Sequence, residues 1–121
     1  MLKILIVEDS PEIQRRLLDM LSRLPGVEVV GCAETAASAL EVVARRRPDV
    51  VVLDVALRDG DRGFPVLRKL AEISPDCEVI VLSNFSWSAM RDGFLQAGAS
   101  AYFDKAFEFG KARDWIAARA S

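Results

Sequence analysis

The chain has 121 residues, of which 51% are hydrophobic and 28% charged, with 16 basic residues, 18 acidic residues and no histidine. This length fits one domain with its own core, and the mixed charges exclude the basic surface typical of nucleic-acid binding. No apolar run approaches the roughly 20 residues of a membrane helix, and the start of the chain lacks a signal-peptide pattern, so we expect a cytoplasmic protein without a membrane partner.

Short apolar runs alternate with helical patterns along the whole chain, which predicts a parallel sheet covered by helices on both faces. The predicted strands are 2–8, 27–32, 50–54, 77–82 and 100–103. We find no linker, repeat or low-complexity segment between them. The sequence therefore predicts an α/β fold in a single domain, residues 1–121, with no output domain in this chain.

The first two predicted helices have clear boundaries. The first begins with Ser10 as N-cap and Pro11 at the first helical position, and it stops at Pro25-Gly26. The second begins at Thr35, is predicted to bury Leu40 and Val43, and stops before Pro48. Its end carries Arg45-Arg46-Arg47, which complements the helix dipole and is interpreted as a solvated helix end.

The remaining helices are predicted at about 65–73, 87–97 and 107–119. Gly93 lies inside the fourth, where glycine costs about 1 kcal/mol relative to alanine, so this is the least secure helix. Cys32 and Cys77 lie in predicted strands without a CxxC spacing. Both are expected to be reduced, buried thiols.

Polar residues stand where four of the apolar runs stop. They are Glu8, Asp9, Asp54, Ser83 and Lys105. The carboxyl ends of parallel strands share one edge of a sheet, and ligands bind there at the point where the strand order reverses. This edge is therefore the predicted active site.

Glu8, Asp9 and Asp54 would place three carboxylates in one crevice, and their mutual repulsion calls for a cation. Oxygen ligands without a nearby histidine or thiolate favour Mg²⁺, with Mn²⁺ as the alternative ion. Mg²⁺ is commonly held by one or two carboxylates together with phosphate oxygens, which indicates phosphoryl chemistry. In such chemistry an aspartate serves as nucleophile, while a lysine and a hydroxyl neutralise the transferring group.

The chain resembles the receiver domain of two-component response regulators over essentially its whole length. The matching residues are Glu8, Asp9, Asp54, Ser83, Tyr102 and Lys105. The resemblance implies a flavodoxin-like fold of five βα units in three layers, with strand order 2-1-3-4-5.

The resemblance also implies a role for each matching residue. Asp54 would be the phosphoacceptor. Asp9 and Asp54 would ligate Mg²⁺ directly and Glu8 through water, and the main-chain carbonyl of Ala56 would be the third protein ligand. Ser83 would be the switch hydroxyl that bonds the phosphoryl group, Lys105 would pair with that group, and Tyr102 would change rotamer on activation.

The chain departs from the family pattern near this site. Arg58 stands in place of a usual proline, and Gly63 comes one residue late, which predicts an insertion in the charged loop 58–62. Ala106 follows Lys105 where the family has a cis-proline, so we expect a trans bond and an altered loop.

Asn84 stands where a small residue is usual, and it is expected to change phosphate lifetime more than phosphate acceptance. Trp87, if exposed beside Tyr102, would add an apolar patch to the face that receivers use for partners.

The resemblance implies a magnesium-dependent signalling switch, which is not a metabolic enzyme. It would take a phosphoryl group onto Asp54 from a sensor histidine kinase or a histidine phosphotransfer protein and then change its binding to a downstream effector. A homodimer through the fourth-helix to fifth-helix face is a further candidate assembly. The kinase, the input and the output stay open.

Three alternatives remain. A degenerate receiver would act as a phosphate-independent interaction module. This hypothesis rests on Asn84 and Ala106, which depart from the family pattern. A phosphatase using Asp54 as nucleophile would need a second aspartate where Ala56 stands. An FMN-binding flavodoxin is disfavoured because the loop Glu8-Asp9-Ser10 is acidic where a phosphate cradle needs donors.

Overall fold

The computed structural model describes residues 1–55, 63–84 and 88–120 of the chain. Strands and helices alternate throughout these ranges. The strands are β1 (Leu2–Val7), β2 (Val27–Ala33), β3 (Val50–Asp54), β4 (Glu78–Ser83) and β5 (Ala101–Asp104). The helices are α1 (Pro11–Ser22), α2 (Ala36–Arg46), α3 (Gly63–Ile73), α4 (Ser88–Gln96) and α5 (Phe109–Ala120).

The five strands form one parallel sheet in the order β2-β1-β3-β4-β5. The fold is therefore the flavodoxin-like one that the resemblance implied. Strand order reverses between β1 and β3, where Val7 lies opposite Leu53. Glu8 and Asp9 follow β1 and Asp54 ends β3, so the topology brings all three to the switch point of the sheet.

Alternating side chains of the strands enter two separate core clusters, one on each face of the sheet. On one face Leu5, Val51 and Val79 pack with residues of α2, α3 and α4. On the other face Ile4 and Ile80 pack with residues of α1 and α5. The molecule thus has three layers, and its central strand β3 is buried along its whole length.

The helix starts agree with their predicted caps. Ser10 Oγ accepts the Ile13 N–H at 3.4 Å, with Pro11 in the first turn. Thr35 and Ser38 form a capping box in which the Ser38 N–H bonds Thr35 Oγ1 at 3.1 Å. Val43 is buried on α2 as predicted, whereas Leu40 is only half-buried against the core.

One cysteine prediction is wrong. Cys32 is exposed, because β2 is an edge strand and the side chain of Cys32 does not enter either core cluster. Cys77 lies one residue before β4, is half-buried against the core, and its pKa is raised to about 11, chiefly by burial. The described residues contain no helix long and apolar enough to cross a bilayer.

Candidate functional site

A buried lysine joins two carboxylates at the carboxyl edge of the sheet. Lys105 Nζ lies 2.7 Å from Glu8 Oε1 and 3.0 Å from Asp54 Oδ1. All three residues are at least 90% buried. Charge-assisted hydrogen bonds of this length are strong, so Lys105 holds the ends of β1 and β3 together through their side chains.

Asp9 completes an acidic cluster beside this lysine. One carboxylate oxygen each from Glu8, Asp9 and Asp54 lie within 4.8 Å of one another. The cluster opens into a cavity of about 290 Å³. The described residues that line the cavity are Glu8, Asp9, Ser10, Ile13, Asp54, Val55, Asn84 and Lys105.

Burial and hydrogen bonds between opposite charges shift the pKa values of Lys105 and Glu8 in opposite directions. Burial alone would lower the pKa of Lys105, but its hydrogen bond to Glu8 and the charge of Asp54 outweigh burial, so the pKa is raised. Lys105 is therefore an ammonium at neutral pH. Burial raises the pKa of Glu8 despite the hydrogen bonds from Lys105 and from the Ser10 N–H, the latter 3.1 Å from Glu8 Oε2.

Two predicted site residues, Ser83 and Tyr102, are not among the described residues that line the cavity. Ser83 is fully buried. Its side chain hydrogen-bonds Tyr102, which is buried with its ring 5.8 Å from that of Phe94. Burial is the main cause of the raised pKa of Tyr102. Ser83 thus pairs with Tyr102, while the neighbouring Asn84 lines the cavity.

Asp104, which the sequence pattern did not single out, organises the turn that carries Lys105. Asp104 Oδ1 accepts the N–H groups of Ala106 at 2.7 Å and Phe107 at 3.1 Å. The described residues contain no cis peptide bond, so the predicted trans bond between Lys105 and Ala106 is confirmed. The sequence cue was aspartate followed two residues later by a residue that has an N–H, the pattern of an Asx turn.

Gly63 has a steric role that spacing alone did not reveal. A Cβ at Gly63 would lie 2.6 Å from the Asp54 backbone oxygen and 3.1 Å from Val55 Cα. The Gly63 N–H also donates to the Val55 carbonyl at 2.6 Å. Only glycine lets the start of α3 approach the end of β3 this closely.

Some predicted features lie outside the described residues. These are the Ala56 carbonyl, the insertion at 58–62 with Arg58, and the apolar patch that Trp87 would add beside Tyr102 if it were exposed.

The donor set at the edge fits a hard divalent cation. Three clustered carboxylates supply only oxygen, the ligand type that Mg²⁺ and Mn²⁺ prefer. Chemically, the arrangement combines a candidate nucleophile, a candidate cation site and a fixed ammonium in one cavity.

The chain is similar to known proteins across most of its length. Residues 4–117 match the model of the response regulator receiver domain. The chain is 42% identical over 106 residues to the DNA-binding transcriptional activator DevR/DosR of Mycobacterium tuberculosis, covering 87% of this chain and 48% of that protein. It is 39% identical over 107 residues to protein-glutamate methylesterase/protein-glutamine glutaminase 1 of Syntrophus aciditrophicus, covering 87% of this chain and 30% of that protein.

Among solved structures, a two-component response regulator of the LuxR family from Aurantimonas sp. SI85-9A1 superposes with a TM-score of 0.86 at 28% identity. That match covers 97% of this chain and 85% of the other. The chain spans about half or less of the length of the two curated relatives described above. The match over residues 4–117 and the shared fold establish that this chain belongs to the response regulator receiver domain family of two-component systems.

Proposed function

We propose that this receiver accepts a phosphoryl group on Asp54 and uses it to change partner binding. One observation carries the proposal: the Lys105 ammonium lies 3.0 Å from Asp54 Oδ1 inside a cavity that also holds the cluster of Glu8, Asp9 and Asp54. A nucleophilic carboxylate, a fixed cation and a site for a second cation are the parts that phosphoryl transfer requires.

Glu8, Asp9 and Asp54 would hold Mg²⁺, or Mn²⁺ in its place, and the Ala56 carbonyl is proposed as a further ligand. The bound ion supplies charge neutralisation for the phosphoryl oxygens. Its charge also relieves the repulsion among the three carboxylates, which Lys105 offsets only in part.

In the proposed reaction, an Asp54 carboxylate oxygen attacks the phosphorus of a phosphohistidine. A P–O bond forms, the P–N bond breaks, and the imidazole nitrogen keeps the electron pair and takes up a proton. Lys105 stays protonated and stabilises the charge on the phosphoryl oxygens. Later hydrolysis breaks the new P–O bond and returns the carboxylate and inorganic phosphate, so the chain is a switch and not a metabolic enzyme.

The pair formed by Ser83 and Tyr102 supports a route from the phosphoryl group to the surface. The Ser83 hydroxyl now bonds Tyr102. If this hydroxyl turns to the phosphoryl group, Tyr102 loses that partner and its ring is free to repack against Phe94 in α4. The proposed switch thus couples Asp54 to α4 and β5.

Response regulators act with histidine kinases and effectors, and we propose the same partners here. The donor would be a sensor histidine kinase or a histidine phosphotransfer protein in the cytoplasm. The effector, or a second copy of the chain, would bind at the face formed by α4, β5 and α5. We further propose that residues 1–121 act as one receiver unit.

The test is intact-protein mass after incubation with acetyl phosphate, with and without Mg²⁺. Wild type should gain one phosphoryl group only with Mg²⁺, and Asp54→Asn should gain none. Asp76→Asn is the matched control, because Asp76 is an exposed aspartate in the turn before β4 and should be phosphorylated like wild type.

A folded wild-type protein that gains no mass under any condition would overturn the proposal. It would favour the phosphate-independent interaction module. The observation behind that alternative is Asn84, which lines the cavity where the phosphoryl group would sit.

A further inference from the structure

The turn after β5 is held by Asp104 and Glu108. Besides the two bonds accepted by Asp104 Oδ1, the Asp104 N–H donates to Glu108 Oε1 at 3.0 Å. The Glu108 N–H donates in return to the Asp104 carbonyl at 2.9 Å. Asp104 therefore engages three later residues of the turn through its carboxylate and both of its backbone groups.

Asp104 is 8% exposed, and burial of a carboxylate is costly unless its oxygens are hydrogen-bonded. Here the turn itself supplies the donors. The Ala106 N–H is one of them, at 2.7 Å, and a proline at this position would have no N–H to donate. The hydrogen bond from residue 106 to the Asp104 carboxylate therefore depends on this residue not being a proline.

Lys105 lies inside this turn, directly after Asp104. Its backbone N–H donates to the Ser83 carbonyl at 2.8 Å, and its ammonium reaches Glu8 and Asp54. The long lysine side chain has many rotamers, so its position at the site depends on a fixed backbone. No ring restrains the backbone after Lys105 in this chain.

We propose that Asp104 is a positioning residue: its carboxylate fixes the turn 105–107 through the Ala106 and Phe107 N–H groups and so sets the Lys105 ammonium at Asp54. This role stands in for the proline that the family usually has after the lysine. The inference rests on the proposed phosphorylation of Asp54. The hydrogen bond from the Asp104 N–H is the first cause of the lowered pKa of Glu108. This hydrogen bond therefore persists at neutral pH, where Glu108 is charged, and it supports the proposed role of the turn.

The test compares Asp104→Ala with Asp104→Asn in the rate of phosphorylation by acetyl phosphate. Asparagine keeps the oxygen that accepts both N–H groups, whereas alanine removes it. A displacement of about 1 Å in a reacting group costs up to ~100-fold, so we expect a roughly tenfold slower rate in Asp104→Ala. Asp104→Asn should stay close to the wild-type rate, because its amide oxygen still accepts hydrogen bonds.

The second readout is the Mg²⁺ affinity of each variant, measured as Mg²⁺-induced stabilisation against unfolding. Displacement of Lys105 leaves the carboxylates of Glu8, Asp9 and Asp54 in place and takes a competing positive charge away from two of them, so the affinity should not fall. If Asp104→Ala does not fold, Asp104→Leu replaces it, because leucine keeps the side-chain size without the acceptor.

Three results would overturn the inference while leaving phosphorylation of Asp54 intact. They are a wild-type rate in Asp104→Ala, an equal loss in Asp104→Ala and Asp104→Asn, and a loss of Mg²⁺ affinity that accompanies the loss of rate. Absence of phosphorylation in wild type is a different result, which rejects the proposed function and this inference with it.

Discussion

Lys105 Nζ lies 3.0 Å from Asp54 Oδ1, although the two residues are 51 positions apart in the chain. The same ammonium lies 2.7 Å from Glu8 Oε1, so one lysine offsets the charge of two buried carboxylates. Removal of one partner from a buried ion pair leaves uncompensated charge, which is far more costly than loss of an exposed pair.

We therefore predict that Lys105→Met lowers the free energy of unfolding on the order of 3 kcal/mol at pH 7 without Mg²⁺. The control is Lys69→Met, because Lys69 forms an exposed pair with Glu72 at 3.4 Å and its loss should change stability by no more than about 0.5 kcal/mol. Urea unfolding followed by tryptophan fluorescence measures both. Equal changes in the two variants would contradict the prediction.

Mg²⁺ should stabilise the folded chain, since the carboxylate cluster exists only in the native fold. At a concentration 100 times Kd, a ligand of the native state adds about 2.7 kcal/mol to the free energy of unfolding. Asp9→Asn removes one carboxylate of the cluster and should abolish most of this gain. Asp19→Asn, at an exposed aspartate 3.3 Å from Arg23, should keep it. The experiment is chemical unfolding in Mg²⁺ and in EDTA, and an undiminished gain in Asp9→Asn would argue against the cluster as the metal site.

Two glycine-to-alanine substitutions should have opposite signs. Gly63→Ala places a Cβ 2.6 Å from the Asp54 backbone oxygen, so we expect a loss of about 1–3 kcal/mol in stability and slower phosphorylation of Asp54. Gly93→Ala meets nothing within 4 Å inside α4 and should gain about 1 kcal/mol. Thermal and urea unfolding of the pair test the prediction. A stabilising Gly63→Ala would mean that α3 does not approach β3 as described.

The ion pair between Glu78 and Arg119 should contribute stability in a defined pH window. Arg119 Nε and Nη2 donate to the two oxygens of Glu78, each at 3.1 Å, and this hydrogen bonding holds the pKa of Glu78 below its ordinary value of 4.5. A group with a lowered folded-state pKa adds stability above its unfolded pKa and loses it as the pH falls through the folded value.

Glu78→Gln should therefore be less stable than wild type at pH 7, and the difference should vanish as the pH falls below 4.5 through the folded-state pKa. The measurement is the free energy of unfolding of both proteins across this range. Glu41→Gln, at an exposed helix pair 3.9 Å long, provides the comparison, and its stability at pH 7 should differ little from that of wild type. If Glu78→Gln remained less stable than wild type at acid pH, the loss of stability would come from packing and not from the ion pair.

Much of the site follows from local sequence pattern plus topology. Apolar runs predicted all five strands to within one residue at each end, because burial on both faces of a parallel sheet requires such runs. Ser10 and Thr35 marked the helix starts through their ability to accept backbone N–H groups. Once the strands are parallel, Glu8, Asp54 and Lys105 must meet at one edge.

Other features required the tertiary structure. The burial of Ser83 against Tyr102, the exposure of Cys32 and the close approach of Gly63 to Asp54 depend on which strands are at the edge and how helices cross them. A periodic pattern reports the face on which a residue lies, but it carries no distance between elements.

The sequence by itself thus determined which residues reach the carboxyl edge, because strand ends and helix caps are encoded locally. Only the tertiary structure decided how the edge is held: Lys105 between Glu8 and Asp54, and Asp104 bonded to the turn that follows it. The physical reason is that hydrogen bonds and ion pairs require distances of about 3 Å. Packing of the whole chain sets those distances.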